Sequence, residues 1–348
     1  MDVGLFPAWT AVVGFFIGSA IGSFLNVVIY RLPRCMSIAQ PTYSFCPRCK
    51  HRLGPPDLIP IFSWALQGGK CRYCRAPIAP RYMVVELITG ALWAALWYQQ
   101  LVVLADPATF IAYALFASAL VAAIFTDLAH YIIPDEINAA MFVVGMGYTG
   151  ALIAMGRPEG WVWGLPSGVA GALVGIGVLW GIAFLGRILF GKDAMGHGDI
   201  KMARGIGAVL FPTLSLISFG LAVVSGAVIG ILVVVLRGVL AKKATPDEPE
   251  AEEEEEYVPE SLGSLIKSLF GYLLLMDIVG LFIHPVYRWW FGEDPFTDEA
   301  ISDDEPEVEL TMIPFGPHLA VGALAAMLFG GPLQQVVDAY WRHAFGAP

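Results

Sequence analysis

The sequence predicts an all-α polytopic membrane protein, with about eight transmembrane helices and a small cytoplasmic zinc-ribbon-like domain. Three observations lead there. Of the 348 residues, 57% are hydrophobic and 14% charged, and the mean hydropathy is +0.67. One core cannot take that much apolar area out of water, so the bilayer has to be the solvent. The apolar residues fall in runs near the roughly 20 residues that cross a hydrocarbon core. Four of the five cysteines stand as two C-x2-C pairs in a polar stretch after the first run.

The first run covers 7–30, and others lie at 84–104, 109–126, 138–155 and 163–190. The stretch 205–236 is too long for one upright helix and contains Pro212, so it divides in two, the first part short. The last run is 316–333. The N-terminal run lacks a basic n-region and a small-residue cleavage site, and reads as a retained span. The organisation expected is a first transmembrane helix (1–30), a cytoplasmic zinc-binding domain (31–82), a transmembrane core (83–243), an acidic insert (244–310), and a last helix with its tail (311–348).

Charge sets the orientation. The net charge of −10 is uneven: residues 244–310 hold 19 of the 30 acidic side chains, with Lys267 and Arg288 as their basic residues. The rest carries 18 basic and 11 acidic residues. Residues 31–82 have nine Lys or Arg against one acid, Asp57, which puts them in the cytoplasm and the N-terminus outside. Counting spans onward brings 127–137 and 191–204 to the cytoplasmic face as well. The expected partner of this body is a lipid bilayer crossed many times, and no nucleic acid. The stretch 245–260, with Glu252 to Glu256 in a row, is too polar to bury a core and is expected to be disordered. A second acidic stretch covers 293–309. The apolar segment between them, 262–283, is interrupted by Lys267 and Asp277 and is expected to lie on the membrane without crossing it.

Cys46-Pro-Arg-Cys49 and Cys71-Arg-Tyr-Cys74 have the form C-x2-C-x21-C-x2-C. Two short knuckles offering two thiolates each make a tetrahedral S4 site suited to Zn²⁺. All four positions are filled by Cys, so the zinc is expected to be structural. A loop this size with few large apolar side chains needs such a staple. Cys35 has no partner at useful spacing.

Ionisable residues at span ends are functional candidates. Asp127 ends the third run, and Asp199 follows Gly196-His197-Gly198 just before the sixth. Glycines there let a substrate backbone approach the carboxylate. Two carboxylates at one depth can share a proton, one activating water while the other polarises a carbonyl. By composition alone, Asp127 as a helix-end anchor and Asp199 as an N-cap stay open.

Gly196-x-Gly198-Asp199 resembles the GxGD signature of intramembrane aspartic proteases, and the surrounding motifs resemble the type IV prepilin peptidases. The similar motifs are Gly22-Ser-Phe-Leu-Asn26 through Arg31-Leu-Pro33, the paired CxxC loop, Arg81-Tyr82-x3-Glu86-Leu87, Asp127-x6-Pro134-Asp135, Gly196 to Lys201, and Ile313-Pro-Phe-Gly-Pro317. They run in order along nearly the whole chain. The resemblance implies Asp127 and Asp199 as the catalytic pair, while the place of Asp135 after Pro134 and before an apolar stretch suits it to an N-cap. It implies type IV prepilin or pseudopilin substrates and a multi-pass place in a bacterial cytoplasmic (inner) membrane. It also implies S-adenosylmethionine as methyl donor for the new N-terminus, although no G-x-G-x-x-G strand-helix signature is present. His197 is expected to pack at the membrane surface, and Lys201 to meet lipid phosphate in preference to its other reading, orienting the site. Glu86 suits either the site or a helix cap. The outer loop at 156–163 is expected to stay clear of the chemistry. Alternatives are another GxGD protease of preflagellin or presenilin type, and a proton-coupled transporter. The CxxC loop and the 313–317 motif speak against the former, and the shared face of the two aspartates against the latter.

Overall fold

The computed structural model describes residues 4–191, 195–241, 260–292 and 314–345. The stretch expected to be disordered, 245–260, lies outside these apart from Glu260, and so does the second acidic stretch, 293–309. The chain forms α1 (Ala11–Arg31), a short α2 (Phe62–Leu66), α3 (Arg81–Leu96), α4 (Pro107–His130), α5 (Asp135–Ala154) and α6 (Ser167–Phe190). There follow α7 (His197–Ala241), the short α8 (Leu262–Leu273), α9 (Met276–Phe282) and α10 (His284–Phe291), and α11 (Gly316–Phe345). Among the described residues the sheet is one hairpin of two-residue strands, β1 (Trp161–Val162) and β2 (Leu165–Pro166), in the outer loop.

Among the described residues, six helical stretches are long and apolar enough to cross a membrane. α3 has only 16 residues, but continues as a π-helix over Trp97–Val103. α7 breaks at Phe211, whose φ of 62° and ψ of 175° are not helical. Pro212 explains the break, because it lacks an N–H and denies its predecessor the helical conformation. With α3 and both halves of α7 counted, the eight expected segments are present. α8 and α9 bend by 71° at their junction and make no straight crossing.

Apolar side chains gain little by leaving lipid for one another, so close backbone approach does the packing. On α1, Gly14, Gly18 and Gly22 recur every four residues, and an added Cβ would strike Trp97, Trp93 or the backbone of Glu86. α6 and α7 touch at Gly171 and Gly207, where a Cβ on either would overlap the other's carbonyl. Gly175 meets Ala203 in the same way one turn on. α11 lies along the second half of α7, with Gly330 at Leu214, Gly322 at Ala222, and Gly226 at His318. That order is antiparallel. The second half of α7 therefore returns toward the end of the bundle from which the first half set out.

Candidate active site

α4 stops just after Asp127. Tyr131 takes a left-handed conformation (φ 55°) and donates its N–H to the Asp127 carbonyl at 2.8 Å, closing the helix. The Asp127 side chain, 6% exposed, thus sits at a helix end. Its carboxylate accepts a hydrogen bond from the N–H of Gly316, the first residue of α11. A Cβ on Gly316 would overlap that carboxylate and stand 2.8 Å from Ile133. Ile133 also lies against Gly198, where a Cβ would be 3.5 Å from its own. Asp199, in the first turn of α7, is close enough that the charge of Asp127 acts on it. The Asn138 amide donates to the Gly198 carbonyl at 3.5 Å. The ends of α4, α7 and α11 thus meet around two carboxylates. Gly196 is exposed, and a Cβ there would stand 3.6 Å from Asp199 Oδ2, so its absence leaves that flank open.

The other polar residues of these motifs turn away from the pair. Lys201, expected at lipid phosphate, is instead buried, with Nζ 2.7 Å from both oxygens of Asp135 and 3.3 Å from the Tyr287 hydroxyl. Asp135, expected as an N-cap, is instead the first residue of α5 after Pro134, and its carboxylate is held by that ammonium and by the Tyr287 hydroxyl at 3.0 Å. His197 is paired rather than merely packed, with Nδ1 2.6 Å from the Tyr272 hydroxyl and Nε2 2.9 Å from Glu260. Arg204 forms a two-pronged pair with Asp277, at 2.9 and 2.6 Å. Neither the Arg204–Asp277 pair nor the Gly316 donor was foreseen. Each joins residues far apart in the chain, and only the glycine stands in a recognisable motif.

The four cysteines converge as expected. Their sulfur atoms all lie within 4.8 Å of one another, and those of Cys46 and Cys74 are 4.0 Å apart. Zn–S bonds of about 2.3 Å put the corners of a tetrahedron about 3.8 Å apart, so the donor set fits zinc. The knuckles are built alike. Lys50 donates to the Cys46 carbonyl at 2.8 Å and Arg75 to that of Cys71 at 3.0 Å, and both are left-handed, with φ of 56° and 59°. Asp57 ties the second knuckle down through Arg72 at 2.9 Å. Helix residues hold the whole loop. Arg31 donates to the carbonyls of Ser37, Ile38, Pro41 and Tyr43, and Glu86 accepts the Ile61 N–H at 2.6 Å. Asn26 joins α1 to α3 through the Tyr82 carbonyl at 3.0 Å. Among the described residues no glycine-rich strand-helix turn suits a nucleotide-like methyl donor.

Membrane-crossing helices that bring two carboxylates to one end of a bundle are the frame of an intramembrane aspartic peptidase. The chain belongs to the type IV leader peptidase family, whose model matches residues 114–231, while the bacterial peptidase A24 N-terminal domain matches 16–100. A prepilin leader peptidase/N-methyltransferase of Myxococcus xanthus (strain DK1622) is 34% identical over 343 residues, covering 97% of this chain and 95% of its own. Proteins of the same description from Aeromonas hydrophila and Pseudomonas aeruginosa are 32% and 30% identical, each over 66% of this chain and 83% or 82% of their own. No solved structure matches it comparably.

Proposed function

We propose that this protein cleaves the leader from type IV prepilins or pseudopilins at the cytoplasmic face of a bacterial inner membrane, with Asp127 and Asp199 as its catalytic pair. The observation that carries the reading is the meeting of the two carboxylates at three helix ends, one of them fixed by the Gly316 N–H. One carboxylate takes a proton from water as its oxygen bonds to the scissile carbonyl carbon, and the other, protonated, donates to the carbonyl oxygen. The C–N bond then breaks and the leaving amine takes up a proton. The pair is left sharing one proton again. Zinc on Cys46, Cys49, Cys71 and Cys74 stiffens the cytoplasmic loop and takes no part in the bond cleavage. The relatives' shared description supports N-methylation of the new terminus as a second activity, with S-adenosylmethionine as donor. Co-expression with a type IV prepilin tests the peptidase directly. A mass loss equal to the leader, on a substrate whose basic leader stays in the cytoplasm, is expected. An unchanged prepilin beside well-inserted protein would refute the reading.

A further inference from the structure

The described part of the acidic insert, residues 260–292, is built against the back of α7. Helical residues advance by about 100° each, so His197, Lys201 and Arg204 fall within an arc of about 60°. Each has a partner from this segment: Tyr272 for His197, Tyr287 for Lys201, and Asp277 for Arg204. Asp199 is rotated by about 200° from both His197 and Lys201, which turns it to the opposite side of the helix. The contacts at the back are well buried. Asp277 is 2% exposed, Arg204 1% and Tyr272 1%. The insert also reaches α6, because the Trp180 indole donates to the Leu265 carbonyl at 3.0 Å and Arg187 to the Glu260 carbonyl at 2.8 Å. The first turn of any helix has N–H groups without partners inside the helix, so it opens more readily than the middle unless neighbouring groups hold it.

We propose that residues 260–292 clamp the first turns of α7 from behind and so hold Asp199 in its aim at Asp127, with Tyr272, Asp277 and Tyr287 as positioning residues. The segment expected to lie on the membrane becomes part of the machinery. The proposal rests on the catalytic reading of the aspartates, so its test needs one readout independent of cleavage. Full-length protein in lipid nanodiscs is compared with its Tyr272→Phe, Tyr287→Phe and Asp277→Asn variants. Backbone hydrogen exchange is followed over 198–205, and kinetics are measured on a purified prepilin. The expected result is faster exchange at these amides, with kcat lowered about tenfold and KM held within about twofold. The two Tyr→Phe changes each remove one hydroxyl, and so keep the test open if Asp277→Asn does not fold. Unchanged exchange overturns the clamp, and so does raised exchange with native kcat. Full cleavage by an Asp199→Asn control would instead remove the catalytic reading, while the exchange data still decide whether the clamp exists.

Discussion

The backbone N–H of Gly316 donates to the carboxylate of Asp127, joining the start of the last helix to the end of the fourth. A side chain at position 316 would occupy the space of the carboxylate it holds. Gly316→Ala is therefore expected to push Asp127 aside and lower kcat about a hundredfold, the usual cost of a misplacement near 1 Å. Cleavage at native rate by this variant would show that the contact does not matter.

Asp127→Asn and Asp199→Asn should each reduce cleavage by about a thousandfold or more, since an amide neither takes a proton from water nor donates one to the carbonyl as a carboxylic acid does. Membrane insertion should be unaffected. Asp135→Asn should act differently. It leaves the Lys201 ammonium buried without its counter-charge, so thermal stability should fall before the chemistry does. Melting curves read beside initial rates separate the two behaviours.

The Arg204–Asp277 pair has side chains 1% and 2% exposed. Removing either charge strands the other in the interior, at an expected cost of about 3–5 kcal/mol. Asp277→Leu combined with Arg204→Met should be far less damaging than either change alone. A double-mutant cycle measured by thermal or denaturant unfolding checks this, and additive losses would contradict it.

Purified protein should hold about one zinc per chain. Cys46→Ser with Cys49→Ser should release it and expose the loop at 36–80 to proteolysis. The helices should stay folded, since Arg31 and Glu86 grip the loop from outside the metal site. Elemental analysis and limited proteolysis give the answer.

At the opposite end of the bundle, burial alone would raise the Asp106 carboxyl, but hydrogen bonds from Arg157 and Thr109 outweigh it and hold the group below the ordinary carboxylate value of 3.8. A depressed folded value means the stabilisation is complete above that ordinary value and is lost as pH falls through the lower, folded one. Melting temperature should therefore decline as pH drops below about 4. Asp106→Asn should lose part of that acid dependence.

Much of this was legible beforehand because it is local. Hydropathy runs gave the spans, Pro212 gave the break in α7, and two C-x2-C pairs gave the metal cluster. The aspartates stood out through their motifs. The partners of Lys201 and Arg204 did not, because ion pairing between distant segments leaves no periodic trace. The tendency of lysine at a span end to meet lipid was the better general expectation, and Asp135 overrode it here. The glycine stripe on α1, every fourth residue, was readable but unread.

The turn at Phe211 has a consequence for how the molecule looks from outside the cell. From His197 to Phe211 there are about 14 residues, so the first half of α7 rises roughly 20 Å, short of the 30 Å or so of hydrocarbon. Its tip is packed against other helices, with Phe211 beside Gly171 of α6 and stacked on Tyr148 of α5 at 5.6 Å, and the next residue starts the return. The chain reverses with no polar loop to surface there. An impermeant thiol reagent or an external protease would find nothing at this bend, and an epitope placed in it would stay hidden from antibody. Topology mapping from the far side would register neither passage.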